Sequence, residues 1–213
     1  MLLTGTPTKM KKNILDDEKI NKIKEQLGFK SDLPLVLVTG GSQGAKSINE
    51  TLINIIKEKK NNNYQIIWAA GKNQYDLIKE ELQQANINIG NIPRVKIVPY
   101  IYNMEEVMNA VDVVVARSGA MTITEISILG KPAIFIPYPY ATENHQEYNA
   151  KVLEKAGAAK IILDKNLNDK ILSEYIEDII KDKDKLKEMS NNARKIAIDN
   201  VEERIYKEIL KVL

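Results

Sequence analysis

The chain of 213 residues carries 31 Lys and Arg against 29 Asp and Glu, a formal charge of +2, so charge gives no basis for a nucleic-acid or membrane-surface binder. Hydrophobic residues are 44% and charged residues 28%, the balance of a globular domain with a buried core. Cysteine is absent and His145 is the sole histidine, which excludes disulfides, thiolate metal sites, a Cys nucleophile and any two-histidine zinc site.

The start, Met1-Leu2-Leu3-Thr4-Gly5-Thr6-Pro7, lacks an apolar core of signal-peptide length, and no run reaches the roughly 18 residues of a membrane span. The expected compartment is the cytoplasm. Residues 1–13, with Thr6-Pro7-Thr8-Lys9 and Met10-Lys11-Lys12, read as a linker tail, and residues 14–213 as one folded unit. A helix is expected from about Asp16 to Leu27, with Gly28 as its stop.

Six apolar runs of strand length follow, beginning at Leu35, Gln65, Val95, Val111, Ala133 and Lys160. Most are rich in Val and Ile with little polar alternation, as in strands buried on both faces. Helical stripes separate them. Ile48, Leu52, Ile55 and Ile56 form the first, Tyr75, Ile78 and Leu82 the second, and Val152, Leu153 and Ala156 a later one ending at Gly157. Beyond Asn168 only helical patterns remain, with stripes Ile171, Tyr175, Ile179 and Ile205, Ile209, Leu210. Alternation of strand and helix predicts an α/β fold with a doubly wound, mostly parallel, six-stranded Rossmann-like sheet.

Ligands of such sheets bind beyond the carboxyl ends of the strands. After the first strand comes Thr39-Gly40-Gly41-Ser42-Gln43-Gly44-Ala45-Lys46-Ser47, leading into a helix. Glycines allow close backbone approach and the helix N-terminus favours an anion, so a phosphate site is one reading. A Gly-rich turn with Ser42 as helix cap is the other. Ala45 stands where a P-loop requires Gly, and the GxGxxG pattern is absent.

After the fourth strand, Arg117-Ser118-Gly119-Ala120-Met121-Thr122-Ile123-Thr124-Glu125 repeats the arrangement of small-residue turn and helix start. Glu125, three residues beyond Thr122, is either a capping-box carboxylate or an acceptor for a ribose diol. The third strand ends in Pro99-Tyr100-Ile101-Tyr102-Asn103-Met104, which either brackets a planar base or packs as an ordinary loop. The polar, aromatic loop from Pro137 to Asn149 contains His145, read as a surface group rather than a general base because no partner carboxylate can be assigned.

These motifs occur in a definite order: Gly40-Gly41-Ser42-Gln43-Gly44, then Arg117 to Glu125, then Gly130-Lys131-Pro132-Ala133, then His145-Gln146-Glu147-Tyr148-Asn149-Ala150 and Leu153-Glu154-Lys155-Ala156-Gly157. Together they resemble the C-terminal half of the MurG family of bacterial peptidoglycan N-acetylglucosaminyltransferases, over essentially the whole chain. The resemblance implies one half of a GT-B glycosyltransferase, with residues 1–13 an interdomain linker remnant and residues 14–213 the domain that binds the donor UDP-N-acetylglucosamine. It implies Ser42 and the main chain of Ala120, Met121 and Thr122 at the diphosphate, the Ile101 backbone at the uracil, Glu125 at the ribose and Gln146 at the sugar. Lys9 stands where the family usually has Arg, so a fork-shaped contact to the nucleotide is reduced to a point charge.

The implied reaction is inverting transfer of N-acetylglucosamine to the 4-hydroxyl of the muramoyl sugar of lipid I, on the cytoplasmic face of the membrane, with peripheral membrane contact. Helix N-termini stabilise the leaving group in this scheme, so no metal, cofactor or nucleic acid is expected. The family's N-terminal domain, with its general-base histidine and lipid-facing patch, has no counterpart in the sequence. The chain alone is therefore expected to bind the donor weakly, to contain no catalytic residue and not to catalyse transfer. Alternative readings are a donor-binding subunit of a split two-chain transferase and a non-catalytic UDP-sugar-binding module.

Overall fold

The computed structural model describes residues 4–12 and 15–211. The expected boundary between residues 13 and 14, and the first three residues, lie outside them. Residues 4–12 have no helix or strand. Helix α1 (Asp17–Gln26) starts at an N-cap in which Asp16 accepts from the Lys19 N–H, and Gly28 follows its end at φ +87°.

Six strands form one sheet: β1 (Leu35–Thr39), β2 (Gln65–Ala69), β3 (Val95–Val98), β4 (Val113–Ala116), β5 (Ala133–Phe135) and β6 (Ala159–Ile161). Every neighbouring pair is parallel, in the order β3-β2-β1-β4-β5-β6. The expected doubly wound sheet is present, and the order reverses direction between β1 and β4. Strand β4 begins two residues later than its apolar run, because Asp112 serves the base of the sheet. Its carboxylate accepts from the Leu35 N–H (2.7 Å) and the Lys24 ammonium (2.8 Å).

Alternate residues of the central strands feed two cores. Val36, Val38, Ile66, Trp68, Val113 and Val115 pack with Ile48, Leu52, Ile55 and Ile56 of α2 (Lys46–Lys57), Ile78 and Leu82 of α3 (Tyr75–Gln84), and α7 (Asp169–Ile180). On the other face, Leu35, Leu37, Ile67, Val114 and Phe135 meet α4 (Met104–Ala110), α5 (Ala120–Leu129) and α6 (His145–Lys155). Burial on both faces is why the strands read as continuous apolar runs.

Two stripes differ from expectation. Of the expected stripe at α6, Leu153 is buried, Val152 and the C-cap Ala156 are exposed, and Ala150 shares the buried face with Leu153. In α7 the buried stripe is Leu172, Ile176, Ile179 and Ile180, with Ile171 and Tyr175 at its half-buried flank. Helix α8 (Lys183–Ile196) packs on α5, whereas α9 (Val201–Leu210) buries Val201 and leaves Ile209 and Leu210 49% and 53% exposed. Among the described residues no helix is long and apolar enough to cross a membrane.

Candidate functional site

The reversal between β1 and β4 places two helix N-termini side by side beyond the sheet's carboxyl edge. Residues Gly40 to Ala45 form the first turn, and α2 begins at Lys46 behind the extended Ala45. Gly44 sits at φ +79°, and a Cβ there would lie 2.2 Å from the Ala70 carbonyl oxygen, so only glycine lets this turn lie against the end of β2. Helix α5 starts at Ala120 behind Gly119, whose carbonyl accepts the Ile123 N–H. Neither helix has a side-chain cap, so the first N–H groups of both helices have no partner among the described residues. Two positive helix ends converge on one cleft.

That cleft has a volume of about 760 Å³ and is bordered by the glycine turn, Arg117, Thr122, Glu125, Tyr138 and Gln146. It adjoins a second cleft of about 1060 Å³, which includes Lys9, Tyr102, Asn103 and Met121, and Met104 and Glu125 line both.

The sequence-derived site residues fall into three groups. Thr122, Glu125 and Gln146 line the first cleft, and Lys9, Met121 and again Glu125 line the second. Ala120, exposed at the start of α5, and the buried Ile101 are in the lining of neither cleft, and the Ile101 main chain makes no hydrogen bond among the described residues. Ser42 lies apart from the cleft lining, at the exposed tip of its turn, where its carbonyl accepts the Lys72 N–H at 3.4 Å.

Both capping alternatives are corrected. Ser42 is four residues before α2 begins and caps nothing. Helix α5 begins two residues before Thr122, which makes Thr122 its third residue and removes the capping box. Glu125 is left half-buried, with no hydrogen bond or ion pair among the described residues, and burial raises its carboxyl above the ordinary carboxylate range. An unpartnered carboxylate between two clefts is suited to accept hydrogen bonds from a hydroxylated ligand.

The Gln146 amide is already half committed. Its Oε1 accepts the Tyr138 N–H at 3.0 Å, and its Nε2 has no partner among the described residues. The Ser118 hydroxyl donates to the Gln146 carbonyl (2.7 Å), and Asn149 Nδ2 to the Ser118 carbonyl (3.1 Å), which pins α6 to the end of β4. His145 Nδ1 lies 2.8 Å from the Thr142 carbonyl, to which it donates, and no carboxylate partners it among the described residues. No cluster of acidic and imidazole groups among those residues could hold a metal ion. Sequence reasoning missed Ser47 and Asp164, which meet Arg117 in the first cleft; they are 117 residues apart, and no local pattern links them.

The chain is similar to the UDP-N-acetylglucosamine–N-acetylmuramyl-(pentapeptide) pyrophosphoryl-undecaprenol N-acetylglucosamine transferase of Acetivibrio thermocellus, at 42% identity over 99% of this chain and 55% of that protein. It therefore spans about half the length of the curated relatives it matches. Among solved structures it resembles Acinetobacter baumannii MurG, with a TM-score of 0.72 and 28% identity over 90% of this chain and 53% of that one. It shares a fold with WaaG, a glycosyltransferase of lipopolysaccharide biosynthesis, at a TM-score of 0.64 and 17% identity, over 95% of this chain and 53% of that one. Residues 35–205 match the C-terminal domain of glycosyltransferase family 28, and the chain belongs to that family.

Proposed function

We propose that this chain is the donor-binding half of a GT-B glycosyltransferase and holds UDP-N-acetylglucosamine for transfer to lipid I in peptidoglycan synthesis. The observation that carries this reading is the unpartnered Glu125 carboxylate beside two uncapped helix N-termini at the switch point of the sheet. The family assignment supports glycosyl transfer, and the name of the Acetivibrio relative supports this donor.

In this reading the diphosphate lies against the N–H groups of Ala120, Met121 and Thr122 and of the turn around Ser42. Fixed N–H dipoles stabilise the charge that develops on the UDP leaving group without reorganising during the reaction. Glu125 accepts the ribose hydroxyls, the Ile101 main chain reads the uracil edge, Lys9 contributes a charge near the nucleotide, and the free Gln146 Nε2 donates to the sugar. Inversion at the anomeric carbon requires a base that deprotonates the acceptor hydroxyl from the opposite face. His145 has no carboxylate partner among the described residues to orient it as a base, and we assign that base, the lipid I site and the peripheral contact with the cytoplasmic membrane face to the other half of the enzyme. Relatives that carry about twice this length in one protein favour this reading over a split two-chain transferase.

Isothermal titration of the chain with UDP and UDP-N-acetylglucosamine tests the proposal. Binding of both, weakened by Glu125→Gln, supports it; failure to bind either overturns it. With a lipid I analogue, the chain alone is expected to give no turnover, and a rate near that of a two-domain enzyme would contradict the division of labour.

A further inference from the structure

Arg117, at the end of β4, does not point freely into the first cleft. Its Nη1 donates to Asp164 Oδ1 (2.5 Å) and to the carbonyls of Ile136 and Pro137 (3.0 Å each), and its Nη2 donates to Ser47 Oγ (3.1 Å). The Ser47 hydroxyl closes the circuit by donating to Asp164 Oδ1 at 2.7 Å. Three separate parts of the chain meet here: the first turn of α2, the end of β4 and the turn after β6. The Arg117 and Asp164 side chains are 14% and 20% exposed, so the pair is largely shielded from solvent.

A carboxylate beside two helix N-termini opposes the binding of an anion there, and an arginine in the same place is drawn to that anion. Asp164 settles both tendencies by taking up the Arg117 charge. It turns the guanidinium onto the two carbonyls that open the connection from β5 to α6, and onto the face of Tyr138, whose ring centre is 5.6 Å away. That connection leads into α6, whose second residue is Gln146, and the Tyr138 N–H fixes the Gln146 amide. A continuous set of contacts thus runs from Asp164 through Arg117 and Tyr138 to the amide that faces the cleft.

We infer that Asp164 is a positioning residue which, through Arg117, holds the Pro137–Gln146 segment in place and so sets the preference for a nucleotide diphosphate that carries a sugar over the bare nucleotide. The inference rests on the donor-binding reading above. It goes further by naming the residues that make the site read the sugar rather than the phosphates.

The test is titration of the chain with UDP and, separately, with UDP-N-acetylglucosamine, for the native protein, Asp164→Asn, Asp164→Glu and Ser47→Ala, with melting temperatures recorded for each. Asp164→Asn keeps shape and an acceptor oxygen but removes the charge. It is expected to leave UDP affinity within about twofold of native or tighter, and to weaken the sugar nucleotide about fivefold to tenfold, the scale of one charge-assisted contact. Ser47→Ala should move the ratio in the same direction by less, and Asp164→Glu should recover part of it. Equal loss of both ligands, the mark of general loosening, would overturn the inference, as would an unchanged ratio in Asp164→Asn. If the native chain binds neither ligand, the donor-binding reading fails first and this one falls with it.

Discussion

Trp68 donates its indole N–H to Asn49 Oδ1 at 3.0 Å, and Asn49 in turn donates to the Ala70 carbonyl at 2.9 Å, so one buried amide ties the end of β2 to α2. Ala70 is the residue against which Gly44 packs, which makes the pair the support of the glycine turn as well as part of the core. Asn49→Leu leaves the Trp68 N–H and the Ala70 carbonyl buried without partners. It should cost about 2 to 6 kcal/mol, from about 1 to 3 for each of the two orphaned groups. Urea unfolding should show a lower midpoint at unchanged slope, and UDP affinity should fall with the displaced turn. A midpoint within experimental error of native would contradict this.

The sheet was legible because strands buried on both faces leave runs such as Leu35 to Val38 with no polar interruption. Helix α4 was not, since the seven residues Met104–Ala110 are too few to show a repeated stripe. In α6 and α7 the stripes are right in part, at Leu153 and Ile179, and miss the rest of each buried face, because an apolar residue such as Val152 occurs on a solvent face without consequence. The glycine turn and Glu125 could be placed from strand ends alone. What spacing could not decide was where α5 starts, and that start at Ala120 settles the capping question for Glu125. The Ser47–Arg117–Asp164 contacts join elements far apart in sequence, and only the strand order reveals them.

Helix α9 should be the least protected helix in hydrogen exchange. Its hydrophobic residues Tyr206, Ile209 and Leu210 are exposed, and Val201 is its one buried residue among those described. With so little buried area, local opening costs far less than global unfolding. Amides of residues 203–210 are expected to exchange faster than those of α2 or α7. Protection equal to α2 would show that this face is covered in solution, for example by a second copy.

Lys131 predicts an unusual alkaline profile. Its ammonium donates to the carbonyls of Asn109 (3.0 Å) and Val111 (2.9 Å), and burial pushes its pKa down to about 8, with Asp112 opposing and Arg194 and Lys24 reinforcing the shift. An unfolded lysine titrates near about 10.4. The folded pKa is the lower one, so above about pH 8 the folded chain has released a proton that the unfolded chain still holds, and this group's contribution to stability rises with pH across the window. Lys131→Met removes the exchange. Urea midpoints measured from pH 7 to 10 should rise for the native chain relative to the variant, and parallel profiles would exclude the effect.

Glu125 should show a trade between stability and binding. Burial raises its folded pKa, so the fold favours the protonated acid. The contribution to stability is fully present below the unfolded pKa and is lost as pH rises through the folded one, and at neutral pH the ionised carboxylate is a net cost. Glu125→Gln removes that cost while keeping the shape, and should raise the melting temperature by up to about 3 °C in a chain of this size. In the donor-binding reading the same change deprives the ribose of a charged acceptor and should weaken UDP binding by about tenfold or more. Native affinity for UDP-N-acetylglucosamine, whose diphosphate lacks the terminal ionisation near about pH 6 that UDP has, should also fall as pH is lowered through the raised carboxyl pKa, whereas the variant's affinity should stay flat. A capping role for Glu125 gives the opposite sign on stability, so a lowered melting temperature with unchanged UDP affinity would remove this carboxylate from the site.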